Sequence, residues 1–178
     1  MIQRIQSFYL VLVAVGAVLM FMFPVANFVT YDTTLDCEIR SELNLIPKGY
    51  VYPDGVMDSM PTFIGQQGHG PAVWPLTALT ALFGIIALVS IFLYKNRVRQ
   101  MRVVAFGFLA NVIHIGLVFL LYVDKYATSL APEFGGTAPV PHYSVGTWTP
   151  IVTAILFFLA QRAIRSDEMK VRSADRIR

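Results

Sequence analysis

Four long apolar runs decide what this chain can fold into. They cover Phe8–Phe28, Pro75–Tyr94, Val103–Val123 and Thr147–Ile164. The first three contain no Asp, Glu, Lys or Arg, and the fourth stays uncharged as far as Gln161. A helix of about 20 residues spans the roughly 30 Å hydrocarbon layer of a bilayer. Inside that layer water is absent, so a single run can satisfy its backbone groups only as a helix. The expected fold class is therefore all-α: a four-helix transmembrane bundle forming one integral membrane domain over residues 1–178. Its connections are an outer loop over 29–74, a cytoplasmic turn over 95–102, an outer loop over 124–146 and a helical cytoplasmic tail over 165–178.

Composition agrees. The 178 residues are 56% hydrophobic and 14% charged, against about 25% charged in soluble domains. The single cysteine, Cys37, excludes an internal disulfide framework and any paired-thiol redox motif. Quinone-linked disulfide-forming enzymes also have four membrane helices, but their chemistry needs cysteine pairs. The first run follows Arg4 like a signal peptide. However, it is longer than a 7–15-residue signal core, and "FPVAN" makes a poor cleavage site, so a retained helix is expected.

The basic residues assign the sides. Eleven of the 14 fall on one side, as Arg4, the turn Lys95, Arg97, Arg99 and Arg102, and six residues after Gln161. Only Arg40, Lys48 and Lys125 fall on the other, together with eight of the 11 acids. Cytoplasmic segments carry the excess of Lys and Arg, so both termini are expected inside. The net charge of +3 is then a mark of sidedness, and no nucleic-acid partner is expected.

The two outer loops differ. In the first, "NFVTYDTTL" and "EIRSELNLI" alternate like strands, and "YPDGV" (Tyr52–Val56) carries turn chemistry, so a small antiparallel sheet is expected. The second, with Pro132, Gly135, Gly136, Pro139 and Pro141, reads as irregular coil. Trp74, Trp148 and Tyr94 fit the aromatic belts of a bilayer. Thr149 and Pro150 read as an N-cap and first helical residue, and Pro24 as a bend near the end of the first helix.

Polar chemistry inside the spans is sparse. Asn111 and His114 are the strongly polar pair at depth. Gly107, Ala110, Asn111, His114 and Val118 share one helical face. Such residues are functional candidates by default, as a cofactor site for a quinone, haem or lipid. The competing reading is a neutral histidine hydrogen-bonded to Thr77, Thr80 or Ser90 on a neighbouring helix. A haem would need a second axial ligand, and no other span holds a histidine. His69, His142, Cys37 and the outer acids lack metal-ligand spacing, although His142 is placed to approach His69. The glycines at 65, 68 and 70 precede a proline and so do not open a phosphate loop. With no nucleophile–base pair, no catalytic residue, metal or resident cofactor is expected. Ion-coupled transport by one copy is disfavoured by the lack of charge within the spans.

The ends carry amphipathic patterns. Continued as a helix, Arg162, Arg165, Met169, Arg172 and Arg176 form one stripe suited to lipid phosphates or a partner. Asp167, Glu168 and Asp175 lie on another face, with Glu168 and Arg172 spaced to pair. At the start, Ile2, Ile5 and Tyr9 lie along one side of a turn fit to rest at the interface.

The stretches "MIQRIQSFYL" and "RAIRSDEMKVRSADRIR", with "WPL" at Trp74 and the basic turn "KNRVRQMR", resemble the family called domain of unknown function 4293. That resemblance implies a small bacterial inner-membrane protein with four helices, and it brings no activity or catalytic residue. The expected role is a non-enzymatic scaffold or accessory subunit of a cell-envelope complex. It would be embedded in lipid, with a membrane-protein partner or a second copy of itself. The alternative is a quinone-, haem- or lipid-binding protein using Asn111 and His114. A membrane enzyme or transporter component ranks third.

Overall fold

The computed structural model describes residues 3–32, 37–46, 72–131 and 138–175. In chain order the elements are α1 (Gln3–Met22), β1 (Ala26–Asp32), β2 (Cys37–Leu43), α2 (Trp74–Phe92), α3 (Arg97–Leu117), α4 (Val123–Leu130), β3 (Pro141–Tyr143) and α5 (Val145–Asp175). A 3-10 turn over Leu93–Lys95 joins α2 to α3, and a π-helical turn over Val118–Tyr122 joins α3 to α4. Four helical runs are long and apolar enough to cross a membrane: Ile5–Met22, Trp74–Lys95, Arg97–Ser129 and Val145–Val171.

The chain forms two compact units. The first is drawn from Met1–Leu19, Ala78–Ile115 and Thr149–Arg178, and holds most of α1, α2, α3 and α5. On each of these helices one line of buried positions advances alternately by four and three residues. They are Gln6, Leu10, Val13 and Ala17 on α1; Thr80, Phe83, Ala87 and Ser90 on α2; Gln100, Val104, Gly107, Asn111 and His114 on α3; and Thr153, Phe157, Ala160 and Ile164 on α5. That is the seven-residue repeat of helices meeting along a seam. The opposite faces are apolar and exposed, as Val11, Val15, Ile85, Phe106, Leu109, Ile155 and Phe158 show. A surface of this kind suits lipid.

Glycines let the seams close. A Cβ at Gly107 would meet Ile86 Cγ2 at 2.7 Å and the Phe157 ring at 3.0 Å, and one at Gly84 would meet Ala17 Cβ at 3.0 Å. One at Gly16 would run into the Thr153 side chain. Small residues at a crossing allow the close approach that drives helix packing in lipid.

The second unit, Met20–Thr77 with Gly116–Trp148, contains a three-stranded sheet of order β2-β1-β3. β1 pairs antiparallel with β2 from Ala26↔Leu43 to Asp32↔Cys37, and with β3 from Ala26↔Tyr143 to Phe28↔Pro141. Phe28 is buried and packs at a tilt against Tyr126, with ring centres 5.1 Å apart. Hydroxyls stitch the unit: Tyr126 donates to Glu42 O at 3.3 Å, Tyr122 to Ala72 O at 3.0 Å and Thr77 to Leu45 O at 2.6 Å.

Several sequence expectations need correction. The first helix ends at Met22 rather than Phe28, because residues 26–28 are claimed by β1 and Phe28 by its buried contact with Tyr126. The second outer loop is not all coil: it supplies α4 and β3, and Thr128 Oγ1 bonds to Asp124 O within α4. Thr149 and Pro150 do not start the last helix. It starts at Val145, with Pro150 inside it, and the Thr147 hydroxyl bonds to Val25 O. At the N-terminus the faces are reversed: Gln6 is buried and Ile5 is exposed. The "YPDGV" turn, Lys48, His69 and the three glycines at 65–70 lie outside the described residues.

Candidate functional site

The site begins from where α3 starts. Asn96 ends the 3-10 turn, and its Oδ1 accepts the Arg99 N–H at 3.2 Å, capping the helix. Gln100, Asn111 and His114 point inward while Arg99, Arg102, Phe106 and Leu109 point outward.

His114 and Asn111 are fully buried one turn apart. His114 Nε2 lies 3.2 Å from Thr80 Oγ1 on α2. Its ring stands edge-on to Phe83, with centres 5.8 Å apart, and Phe83 meets Phe157 in the same way at 6.4 Å. Asn111 reaches the other way. Its Nδ2 donates to Pro150 O at 3.0 Å and to Thr153 Oγ1 at 2.9 Å on α5, and Thr153 itself donates to Pro150 O at 3.0 Å. The two residues bind α3 to two different helices. Each still has one buried atom without a hydrogen-bond partner, His114 Nδ1 and Asn111 Oδ1.

Two further ties were not legible as site residues. Gln100 Nε2 donates to Ser90 O at 2.9 Å, joining α3 to α2. Gln6 Nε2 donates to Ala163 O at 3.3 Å, joining α1 to α5. The available signal was spacing: Gln100, Gly107 and His114 are seven apart, so a glutamine at the first position belongs to the same seam. Polar bonds between helices in lipid contribute about 0.6 kcal/mol on average and up to about 2 kcal/mol. The Asn111→Leu variant is therefore expected to lose about 1–2 kcal/mol, since it removes two donor contacts. Unfolding in a denaturing detergent, compared with the exposed control Val112→Leu, measures this.

The predicted tail site is partly described. Arg162 and Arg165 are exposed on α5, as is Met169. Arg172 lies on α5, which continues to Asp175, while Arg176 lies outside the described residues. One acid of the tail, Asp167, is used internally. Asp167 Oδ2 stands 3.4 Å from Arg97 Nη2, an ion-pair separation without hydrogen-bond alignment, and Arg97 Nη1 donates to Asp167 O at 3.3 Å. This tie between the basic turn and the tail joins residues 70 apart in sequence, and no local pattern signals it. Among the described residues no three His, Cys, Asp or Glu side chains gather as a metal site would require. The described His142 is exposed on β3, and its expected neighbour His69 is not among the described residues.

One protein-family model, described as "Domain of unknown function (DUF4293)", matches residues 2–177. No curated protein matches the chain.

Proposed function

The chain belongs to the DUF4293 family, and from that premise we propose a non-enzymatic scaffold or accessory subunit of a bacterial cell-envelope complex. It would sit in the inner membrane with both termini in the cytoplasm and act through binding to a membrane-protein partner or a second copy. The observation that carries this reading is the use made of the core's polar groups. Gln6, Gln100, Asn111, His114 and Thr80 all contact a different helix. Chemistry that a catalytic site would leave facing a substrate is here spent on holding helices in register. In-cell cross-linking followed by purification tests the reading. A discrete adduct of reproducible mass is expected, and a chain that stays uncross-linked under saturating reagent contradicts it.

Orientation is tested separately. In a Cys37→Ser background, His142→Cys is expected to react with a membrane-impermeant maleimide in spheroplasts, and Ser173→Cys only after the membrane is opened. Both positions are exposed. The reverse pattern would invert the proposed topology.

A second reading rests on the unpartnered atoms at His114 and Asn111. A quinone or lipid carrying a hydroxyl or carbonyl would satisfy them. A haem fits less well, since His114 is the one histidine in the sequence of its unit. Mass spectrometry of an organic extract from natively purified protein tests this. A stoichiometric small molecule that disappears in His114→Leu supports it, and an extract free of one removes it.

A further inference from the structure

We propose that α3 and α5 carry a band of arginines, Arg99, Arg102, Arg162 and Arg165, that binds the headgroups of anionic phospholipids in the leaflet on the side of the termini. The argument is one of register. Arg97 meets Asp167, Gly107 faces Phe157, and Asn111 bonds Thr153. The steps between these contacts are ten and four residues on α3, and ten and four residues in the reverse direction on α5. The two helices therefore run antiparallel with equal rise. Arg102 lies five residues after Arg97, and Arg162 lies five before Asp167, so they share one level. Arg99 and Arg165, each two residues from the ion pair, share the next. The levels are about 4.5 Å apart, at 1.5 Å per residue. A separate contact pair extends the band to α1. Gln6 meets Ala163 and Gly16 faces Thr153, which puts the backbone of Arg4 level with Arg165.

All four arginines are exposed. Each continues an exposed apolar stripe of its own helix. Arg102 lies below Phe106 and Leu109, and Arg162 below Phe158 and Ile155, at spacings of four and seven residues. The outward surface thus changes from hydrocarbon-compatible to phosphate-binding at the same height on both helices. The four arginines thus form a band two levels deep on two helices. A band at constant height matches the plane of headgroup phosphates in a leaflet. Arg97 is withdrawn from the band by Asp167, which lies below these two levels. Guanidinium groups suit this task because their planar fork takes two phosphate oxygens at once.

The inference rests on the membrane reading of these helices, which alkaline-carbonate extraction tests independently: release of the chain into the wash would remove that reading itself. The test of the band uses full-length protein in mild detergent with added phosphatidylglycerol or phosphatidylcholine. Phosphatidylglycerol is expected to raise the Tm by roughly 5 °C in the wild type and in Lys125→Gln, a control base outside the band. Phosphatidylcholine is expected to leave the Tm unchanged. The shift is expected to vanish in R99Q/R102Q/R162Q/R165Q and to survive in the matching all-lysine variant with reduced size. If the quadruple glutamine variant does not fold, R102Q and R162Q singly are each expected to lose part of the shift. An undiminished shift in the glutamine variants, an equal shift with phosphatidylcholine, or full replacement of the lipid by soluble polyglutamate would overturn the proposal, the last in favour of an acidic protein partner.

Discussion

Replacing Gly107 with valine is expected to destabilise the four-helix unit by about 3 kcal/mol, the upper part of the usual range for overpacking a tight core. The first added carbon would already sit 2.7 Å from Ile86 Cγ2 and 3.0 Å from two Phe157 ring atoms. Neither neighbour has room to yield. Ile86 is β-branched and stiff about χ1, and Phe157 is completely buried against Phe83. The extra bulk must push α3 away from α2 and α5 together. Displacing α3 also strains the bonds from Asn111 to α5 and from His114 to α2. Gly116→Ala is the control, because nothing lies within 4 Å of a Cβ placed there. It is expected to cost nothing and to gain up to about 1 kcal/mol, as for a glycine inside a helix with open space around it. Ile86→Ala combined with Gly107→Val should cost less than the sum of the two single losses, since the two substitutions share one contact and are not additive. Equal stability of Gly107→Val and Gly116→Ala in denaturing-detergent unfolding would contradict the packing described.

The second large effect belongs to the sheet-bearing unit. Gly146→Val is expected to cost at least about 3 kcal/mol, because the obstacle is backbone and cannot rotate away. A Cβ at Gly146 would run into the carbonyl oxygen of Pro24, with the carbonyl carbon at 2.8 Å and Phe23 O at 2.9 Å. The Gly146 N–H donates to that same Pro24 oxygen at 3.1 Å. Two adjoining bonds converge nearby, from Ser144 N to Val25 O at 3.1 Å and from the Thr147 hydroxyl to Val25 O. Moving residue 146 away would loosen all three and the β1–β3 pairing beside them. Limited proteolysis in detergent is the measurement. Cleavage within residues 20–32, 37–46 or 138–148 is expected to become rapid in the variant while the wild type resists. Unchanged protection would show that the chain passes this point with more freedom than described.

Much of this architecture is written plainly in the chain, and the failures have identifiable causes. The spans announce themselves because the bilayer requires length and apolarity, and both are local properties. β1 and β2 were visible because two segments alternate with period two near each other in sequence. β3 was not. It is three residues long, contains Pro141 and lies among prolines and glycines, so only its partner across the fold makes it a strand. Thr149-Pro150 imitates a helix start. The actual start lies four residues earlier, where Gly146 and Thr147 bond to the chain leaving α1.

The candidate site divides in the same manner. Asn111 and His114 were legible because polar side chains at membrane depth are rare. Thr80 could be named with Thr77 and Ser90 as a partner for His114, and the structure selects Thr80. Pro150 and Thr153 could not be named, because the register of α3 against α5 is set by contacts along the whole seam. The burial of Gln6 was misjudged for a related reason. A turn read by itself presents Ile5 as its apolar side, but the partner helix offers the Ala163 carbonyl to Gln6 and leaves Ile5 outward. Asp167, read only as part of the tail's acidic face, is held by Arg97 of the same chain.

The central claim is that the buried polar residues hold helices together so that the protein can serve as an assembly component. It is tested most directly by purifying the tagged full-length protein from its native membranes and identifying both proteins and small molecules in the same sample. The account predicts a protein partner, or a second copy, recovered at a fixed ratio, with no small molecule whose presence depends on His114. A chain that always purifies alone, carrying a stoichiometric small molecule that is lost in His114→Leu while the fold is retained, would contradict it.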